Sequence, residues 1–330
     1  MSLPKRVLIT GGAGLIGSHL ADQLLAAGHE ITILDNFSTG RAGNIRHLDG
    51  HVKLITGDIL DQDAVDAAVR GNAYVFHMAA AVGVANVVGN PLGVIVTNVH
   101  GTENVLAACA EHGAGVIIGS TSEIYGKSPK VPFSEDDDRV LGSTRINRWA
   151  YSTSKALDEH LTIGYARSGL RATIVRYFNT YGPRMHERGD GQVVARFAAL
   201  ALRGEPLTVH DDGKQTRCFT FVEDSARCTI LAAASDAAVG QVFNVGSQHE
   251  LSINELAGII RDRLGSRSEI IHVSYEETYG KDFEDTRRRV PDVRKAKDVL
   301  GFEATFDLEA GLAKTLPWCR EHYGAGAVSP

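Results

Sequence analysis

A glycine-rich turn near the N-terminus most constrains what this chain can fold into. The segment VLITGGAGLIGSHLADQLLAAG places Gly11, Gly14 and Gly17 between an apolar strand pattern and a helical pattern. Glycines at such a junction permit a tight turn and let the backbone approach a pyrophosphate at the helix N-terminus. The spacing is GxxGxxG rather than GxGxxG, but its physical consequences are similar. The turn therefore predicts a dinucleotide site at the first strand–helix junction.

The first half of the chain alternates strand and helix patterns. Short runs rich in Val, Ile and Leu, which are typical of buried parallel strands, lie at 5–10, 30–34, 52–56, 73–77, 115–119 and 171–176. Helical segments lie between them, at 14–27, 61–69, 90–112 and 147–168. This alternation predicts an α/β fold of the Rossmann type, with a doubly wound parallel sheet.

The second half of the chain has shorter units and predicts a smaller C-terminal α+β region. Its predicted helices lie at 191–203, 223–235, 252–265 and 307–322, and its predicted strands lie near 207–209 and 217–221. No flexible linker separates the halves, so we expect them to interleave. The predicted domains are 1–176, with 219–241 packed back onto it, for the dinucleotide and 177–330 for the substrate.

Composition and charge narrow the class of protein. A chain of 330 residues with 43% hydrophobic and 22% charged residues is ordinary for a large globular protein. The net charge of −6 gives no general attraction to nucleic acid or to an anionic membrane. We see no transmembrane run or signal-peptide pattern, and no metal motif among the 13 histidines and four widely spaced cysteines. We therefore expect a cytoplasmic protein without a metal, nucleic-acid or membrane partner.

An acidic residue after the second predicted strand indicates which dinucleotide binds. Asp35 lies 18 positions after Gly17, close to the spacing expected for a carboxylate that binds both adenosine ribose hydroxyls. Such a carboxylate repels a 2′-phosphate, so NAD is favoured over NADP. Asp58 follows the third strand and has two interpretations: a contact to the adenine edge, or the N-cap of the helix at 61–69.

A tyrosine and a lysine four residues apart provide candidate acid–base groups. Tyr151 and Lys155, in WAYSTSKALDEHL, would share one helix face one turn apart. A lysine ammonium beside a phenol favours the phenolate, and a nicotinamide cation nearby adds to this effect. With Lys155 beside it, Tyr151 could therefore act as an acid–base catalyst near neutral pH, although a free phenol titrates at about pH 10.

Motifs spread over nearly the whole chain carry a family resemblance. They are TGGAGLIGSHL, DNFSTG, GDI, HMAA, NVHGTENVL, STSEIYG, YSTSK, VRYFNTYGPR, GEPLTVHDDGKQTRCFTFVEDSA, FNVGS and RRRVPDVRKAKDVLGF. Together they resemble the extended short-chain dehydrogenase/reductases, the NAD-dependent epimerase/dehydratase family that acts on nucleotide sugars. The resemblance implies a Rossmann domain, tightly held NAD, a homodimer paired through helices such as 90–112 and 147–168, and oxidation of a sugar hydroxyl, usually at C4, to a transient ketone.

The same resemblance implies roles for individual residues. Tyr151 matches the family base, Lys155 its partner, and Thr121 the hydroxyl that bonds the reacting oxygen. The predicted cofactor contacts are Gly11, Gly14, Leu15, Ile16, Gly17, Asp35, Asn36, Ser38, Gly40, Asp58, Ile59, Ala79, Ala80, Tyr151, Lys155 and Tyr177. The predicted substrate contacts are Ser122, Asn179, Arg184, His210, Arg217 and Arg289; Asn179 and Arg217 match the family's diphosphate contacts, and an arginine fork suits two phosphate oxygens.

Glu123, in STSEIYG, is the residue that separates the reactions of this family. The resemblance implies a small residue here in 4-epimerases, Asp–Glu or Ser–Glu in 4,6-dehydratases, and Thr-Ser-Glu in UDP-glucuronate decarboxylases. GDP-mannose dehydratases also carry Thr-Ser-Glu, but they resemble NADP users, and Asp35 argues against that cofactor. The decarboxylases also carry an arginine in an RKPD-like segment, and Arg289 in RRVPD matches it. We therefore expect Glu123 and Arg289 to be catalytic residues of a UDP-glucuronate decarboxylase-like enzyme.

Several alternatives stay open from the sequence. His210 stands where the decarboxylases have an aromatic residue that stacks on uracil, and HMAAAVGVA and AYSTSK also depart from their pattern. Epimerisation and 4,6-dehydration of a nucleotide sugar are therefore alternatives, with a UDP-sugar favoured as substrate. A non-sugar dehydrogenase and an NAD-sensing scaffold belong to other classes. The sugar-binding segments 176–184 and 204–218 argue against the first, and the retained Tyr151, Lys155 and Thr121 argue against the second.

Overall fold

The structure is a computed structural model that describes residues 3–187, 192–280 and 283–324. In chain order, its strands β1 to β14 are Arg6–Thr10, Glu30–Asp35, Lys53–Thr56, Tyr74–His77, Gly115–Thr121, Ala172–Tyr177, Thr180–Tyr181, Leu207–His210, Thr216–Cys218, Thr220–Phe221, Val242–Val245, Glu250–Ser252, Ile270–Val273 and Arg288–Arg289. Its helices α1 to α11 are Leu15–Ala26, Gln62–Val69, Val84–Gly89, Pro91–His112, Ala150–Arg167, Val193–Arg203, Val222–Ala234, Ile253–Leu264, Tyr275–Tyr279, Arg294–Leu300 and Leu308–Tyr323.

A parallel sheet forms the centre of the first region. Within the described residues its seven strands lie in the order β11-β6-β5-β4-β1-β2-β3. The order reverses direction between β1 and β4, which is the switch point where open α/β sheets bind ligands beyond the carboxyl ends of their strands. The doubly wound parallel sheet expected from the sequence is therefore present.

Two apolar cores cover the two faces of this sheet. One contains Leu20 and Leu24 of α1 together with Ala226 and Ala232 of α7. The other includes Val105 of α4 and side chains of α2, and α4 packs along α5. Strands β1, β2, β4, β5 and β6 are thus buried on both sides, which explains their nearly continuous apolar runs, whereas β3 lies at the edge of the sheet and is largely exposed.

Local signals fix the ends of α4, the long helix beside the site. The Asn90 side chain accepts a hydrogen bond from the Gly93 N–H at 3.1 Å, and Pro91 occupies the first turn, where its missing N–H costs nothing. Gly113 ends the helix in the left-handed region at φ 67°. These boundaries agree with the predicted segment 90–112 to within one residue.

The chain returns to the first region after it has begun the second. Helix α7 packs against α1, and β11 pairs in parallel with β6 from Val242↔Ile174 to Val245↔Tyr177. The predicted returning segment 219–241 contains all of α7 but stops one residue before β11. Strand β11 was not predicted, because a run of four residues resembles many loop segments.

The second region has its own apolar core. Helices α6, α8 and α11 enclose it, with Phe197, Leu256 and Leu316 among its buried side chains. Short strand pairs complete the region, with β8 beside β13 and β9 between β12 and β14. Across the described residues, we find no helix whose length and apolar character would suit a membrane span.

Candidate active site

The glycine turn after β1 has the shape that a bound pyrophosphate needs. Gly11 has φ +69°, and a Cβ built there would lie 2.7 Å from the Ala79 backbone nitrogen. A Cβ on Gly17 would overlap the Gly11 carbonyl oxygen, so neither position accepts a side chain without movement. Gly14, which precedes α1, offers no side-chain cap to the first N–H groups of the helix. The backbone donors and the helix dipole at this end suit a phosphate group, so this turn fits the diphosphate of NAD.

Asp35 lies at the carboxyl end of β2 in the position expected for ribose binding. Its Oδ2 accepts a hydrogen bond from the Ala13 N–H at 2.8 Å, and its Oδ1 accepts one from the Phe37 N–H at 2.8 Å. A carboxylate has about four acceptor sites, so both oxygens can accept a further bond from a hydroxyl. The two backbone donors fix the carboxylate without exhausting its capacity, which fits the adenosine ribose of NAD.

Asp58 does not cap the helix that follows it. The cap of α2 is Asp61, whose Oδ1 accepts from the Ala64 N–H at 3.1 Å, so the capping interpretation of Asp58 is wrong. Asp58 instead accepts from the Asn36 amide at 2.8 Å. The loops after β2 and β3 are thereby joined, and the adenine contact of Asp58 stays a prediction.

A cavity of about 360 Å³ runs from the glycine turn to the end of β5. Most of the predicted cofactor residues line it: Gly11, Gly14, Leu15, Ile16, Gly17, Asp35, Asn36, Gly40, Ile59, Ala79, Ala80, Tyr151 and Tyr177. The predicted residues Thr121, Ser122, Glu123, Asn179, Arg184 and Arg289 line the same cavity. The exposed Ser38 is not among its lining residues, and neither is Asp58 or Lys155.

Tyr151 and Thr121 meet where α5 passes the end of β5. Burial raises the pKa of the Tyr151 phenol, the nearby Glu123 carboxylate raises it further, and a hydrogen bond with Thr121 opposes both effects. Thr121 is the last residue of β5, and its Oγ1 also accepts from the Glu123 N–H at 3.2 Å. Lys155, one turn along α5, donates from Nζ to Asp158 at 2.6 Å rather than to the phenol.

Glu123 forms an ion pair with the buried Arg148 that the sequence did not indicate. Arg148 donates from both terminal nitrogens to its carboxylate, with NH2 2.9 Å from Oε1, and Arg289 NH1 lies 3.6 Å from the same oxygen. Burial raises the pKa of the Glu123 carboxyl, but Arg148 and Arg289 more than offset this and hold that pKa below its usual value. Glu123 is therefore an anion held between two guanidinium groups beside Tyr151.

A second cavity of about 160 Å³ adjoins the first and shares Glu123, Arg148 and Arg289 with it. Its wall includes the predicted substrate residues Arg217 and His210. Further lining residues are aromatic: Tyr275, Tyr279 and Phe283, with the His210 ring 5.2 Å from that of Tyr275 and 5.3 Å from that of Tyr279. Burial and the nearby Arg196 lower the pKa of His210 to about 4, so its ring is neutral at physiological pH.

Asp285 crosslinks the groups around this second cavity. Its Oδ2 accepts from Arg217 NH2 at 2.8 Å and from the Tyr275 hydroxyl at 2.7 Å, and its Oδ1 lies 3.9 Å from Arg148 NH2. Burial raises the pKa of Asp285, but Arg217, Arg289 and Arg148 lower it to about 2. With Arg196, which also lines this cavity, four guanidinium groups and two carboxylates of the described residues converge here. Positive charge is therefore in excess by two, which suits an anionic ligand.

Two predicted substrate residues lie apart from each other. Asn179, which follows β6, lines both cavities, and its side-chain Oδ1 is buried without a hydrogen-bond partner. Arg184 lies at the α1 end of the first cavity, where NH2 pairs with Asp22 at 2.7 Å. Arg184 therefore lies near residues expected to bind the cofactor rather than near Glu123 and Tyr151. Its predicted contact with the substrate stays a prediction.

Arg148 is the main site residue that was not predicted from the sequence. It lies in INRWAY, three positions before Tyr151, in a turn at Asn147–Trp149 that places its side chain inward. Only 4% of the side chain is exposed. The adjacent Trp149, an apolar residue, was the available signal that this short turn is buried, but an isolated arginine is usually solvated.

Comparison with known proteins identifies the family. The family model described as "NAD dependent epimerase/dehydratase family" matches residues 7–246. The chain belongs to this family. The match includes the glycine turn, the end of β5 and the Tyr151–Lys155 segment, and it confirms the family resemblance and the NAD cofactor. Members of the NAD-dependent epimerase/dehydratase family are enzymes, so the prediction of an enzyme is confirmed as well.

Two curated relatives show how far the likeness extends. A "UDP-N-acetyl-alpha-D-glucosaminuronate decarboxylase" of Bacillus cytotoxicus is 45% identical over 97% of this chain and 99% of that protein. "UDP-glucuronic acid decarboxylase 1" of Xenopus tropicalis is 38% identical over 96% of this chain and 72% of that protein.

Solved structures of the family have the same fold. A UDP-glucose 4-epimerase of Thermus thermophilus, solved with NAD, is 31% identical, with a TM-score of 0.85 over 98% of this chain and 100% of that chain. MoeE5, solved with UDP-glucuronic acid and NAD, is 30% identical, with a TM-score of 0.83 over 96% of this chain and 99% of that chain. The predicted Rossmann-type fold is confirmed.

Proposed function

We propose that this enzyme is an NAD-dependent decarboxylase of a UDP-linked hexuronate. The observation that carries the proposal is the Glu123 carboxylate, only 15% exposed, held by Arg148 and Arg289 beside Tyr151. A 4-epimerase needs only space for a ketose to rotate, whereas a decarboxylase must bind a sugar carboxylate and stabilise the charge released from it. The two relatives named as hexuronate decarboxylases support this choice.

The residues allow a coherent sequence of steps. Bound NAD would accept a hydride from the sugar C4 and would later return it. Tyr151, hydrogen-bonded to Thr121, takes the proton from the C4 hydroxyl as the 4-ketone forms. The ketone makes the sugar carboxylate a β-keto acid, whose C5–C6 bond breaks with release of CO2.

The arginines carry the second half of the reaction. The bond electrons pass to an enolate, which the positive charge of Arg289 and Arg148 stabilises. A proton taken up from solvent water is delivered to C5 and restores the ketone, and Tyr151 returns its own proton to the C4 oxygen when the ketone is reduced. Glu123 fixes both guanidinium groups during these steps, and the net products are CO2 and a UDP-pentose.

The reaction is tested by product analysis. Incubate the purified protein with UDP-N-acetylglucosaminuronate, UDP-glucuronate, UDP-glucose and UDP-N-acetylglucosamine, and identify products by mass and NMR. We expect loss of CO2 from one of the two uronates, with the N-acetylated one tested first because the 45% identical relative is named for it. An isomer of unchanged mass would support an epimerase instead, and loss of water would support a dehydratase.

One variant serves as the control for this assay. Tyr151→Phe should lower turnover by about 10²–10⁴-fold, the usual contribution of a general acid–base group, while NAD binding is retained. Near-normal decarboxylation by Tyr151→Phe would show that another group is the base.

We also propose that the enzyme is a homodimer that works in the cytoplasm. Apolar side chains are exposed on the two long helices α4 and α5: Leu92 is 71% exposed, Ile95 37% and Leu157 44%. A paired helix face would bury these side chains. Leu157→Asp should then shift the sedimentation coefficient from dimer to monomer, while Leu54→Asp, a change at an exposed leucine of β3, should not. A monomeric wild-type protein would contradict the proposal.

A further inference from the structure

Lys155 pairs with a buried carboxylate rather than with the phenol of Tyr151. Its Nζ donates to Asp158 Oδ2 at 2.6 Å, and the two side chains are 2% and 0% exposed. A buried ion pair is weak evidence for a stabilising role, because desolvation of both ions offsets most of their attraction. On the same helix, Lys155 lies one turn and Asp158 two turns beyond the proposed base Tyr151, so the charges of the pair act on that base.

The groups around this pair come from several elements. On α5 itself, Glu159 is engaged by Arg176 at 2.7 Å and by the Ser120 hydroxyl at 2.6 Å. From β4, the His77 ring lies between the hydroxyls of Thr10 and Thr102.

The charges of these groups are settled by their surroundings. Burial and the nearby Lys155 lower the pKa of His77 to about 3, so its ring is neutral. Glu123 and Arg148, from the turns after β5 and before α5, form an ion pair with each other. Asp158 is therefore the carboxylate that offsets the charge of Lys155 among the described residues.

We propose that Asp158 positions Lys155 and sets the pH at which Tyr151 acts as a base. An ammonium group alone stabilises the phenolate, whereas the Asp158 carboxylate cancels part of that field and holds Nζ toward itself. Asp158 is a positioning residue, since it acts through Lys155. This inference rests on the proposed function, in which Tyr151 removes the C4 proton.

The expected size of the effect follows from distance. Asp158 lies seven residues after Tyr151, which is roughly 10 Å along a helix that rises 1.5 Å per residue. One unit charge at that distance, with an effective dielectric constant of about 20, shifts a pKa by about one unit. Neutralising Asp158 should therefore move the rising acid limb of the kcat/KM profile to lower pH by about one unit.

The test compares pH profiles of kcat/KM for hexuronate decarboxylation at saturating NAD. Asp158→Asn and Asp158→Ala should both shift the rising limb downward, and Asp158→Glu, which keeps the charge, should leave it near the wild-type position. The matched control is Asp224→Asn, which neutralises a fully buried carboxylate of α7 paired with Arg227 at 2.6 Å, far along the chain from α5. That variant should lose stability without a shift of the profile.

The outcomes separate the two proposals. If the wild-type protein decarboxylates no hexuronate, the proposed function fails. If the wild-type protein turns over and the Asp158→Asn profile superimposes on it or moves to higher pH, this inference alone is overturned. An equal downward shift in Asp158→Glu would also overturn it, because the charge would then not be the cause.

Discussion

The choice of reaction depends on a single carboxylate and on the arginines that hold it. Glu123 lies in the turn directly after β5, so the sheet delivers it to the same edge as the glycine turn. Arg148 reaches it from the turn before α5, and Arg289 reaches it from β14 in the second region. The site is thus assembled from both regions of the chain, and its chemistry depends on their contact.

Neutralising this carboxylate should uncouple the two half-reactions. Glu123→Gln keeps the side-chain shape but releases Arg148 and Arg289 from their anion, so C4 oxidation should persist while decarboxylation slows by about 10²-fold or more. A 4-keto hexuronate should then accumulate, detectable by mass spectrometry of quenched reactions. The control is Glu284→Gln, whose carboxylate pairs with Lys127 at 2.8 Å and lines neither cavity. An unchanged rate of product formation in Glu123→Gln would assign Glu123 a purely structural role.

At the scale of residues, the sequence predicted which side chains lie in the active site better than it predicted their ion-pair and hydrogen-bond partners. Thr121, Glu123 and Tyr151 lie at the ends of elements whose order along the sheet follows from the βαβ pattern, so their convergence could be foreseen. The Arg148–Glu123 pair could not, because an arginine's partner depends on how a short turn folds inward. Lys155 likewise has the predicted position but a different partner, since Asp158 is one turn further along α5.

At the scale of elements, the junction of β1 and α1 depends on close backbone packing. Gly17→Ala should displace α1 from the turn, because the new Cβ overlaps the Gly11 carbonyl oxygen. We expect at least a tenfold loss of NAD affinity by isothermal titration and a lower melting temperature. Gly258→Ala in α8 is the control, since nothing lies within 4 Å of its added Cβ, and it should be stable or slightly stabilised by up to about 1 kcal/mol. Wild-type NAD affinity in Gly17→Ala would contradict the close approach described for this turn.

The long elements were predictable and the short ones were not. Predicted strand and helix bounds in the first region agree with the structure to within a few residues. Strands β1, β2, β4, β5 and β6 are buried on both faces and therefore carry nearly continuous apolar runs, which are easily recognised in the sequence. Helices α3, α9 and α10 and strands β11 to β14 were not predicted. Each has few residues, and β14 consists of only Arg288 and Arg289, two charged residues without the apolar pattern by which strands are recognised.

At the scale of the whole molecule, a buried neutral histidine ties stability to pH. The His77 pKa, about 3 in the folded protein, lies below the ordinary value of 6.5, so the unfolded chain binds the extra proton as the pH falls. The contribution of His77 to the free energy of unfolding is therefore fully present above pH 6.5. It is lost progressively as the pH falls toward 3, because only the unfolded chain takes up the proton. At pH 5 the loss is about 2 kcal/mol, from roughly 1.5 pH units at about 1.4 kcal/mol each.

This pH dependence is measurable by urea unfolding. Between pH 7.5 and pH 5 the free energy of unfolding should fall by about 2 kcal/mol less in His77→Gln than in the wild-type protein. His51→Gln, at an exposed position, should keep the wild-type dependence. Identical pH dependence in His77→Gln and the wild-type protein would show that His77 is not the linked group.

The return of β11 to the main sheet has a consequence for how the chain must fold during synthesis. Part of the α1 side of the sheet stays uncovered until α7, at Val222–Ala234, has left the ribosome, and β6 keeps an open edge until residues 242–245 follow. An emerging chain of 176 residues would thus display both an unpaired strand edge and apolar surface, the features that make nascent intermediates prone to aggregation. Completion of the NAD-binding half waits for the polypeptide to begin its other half.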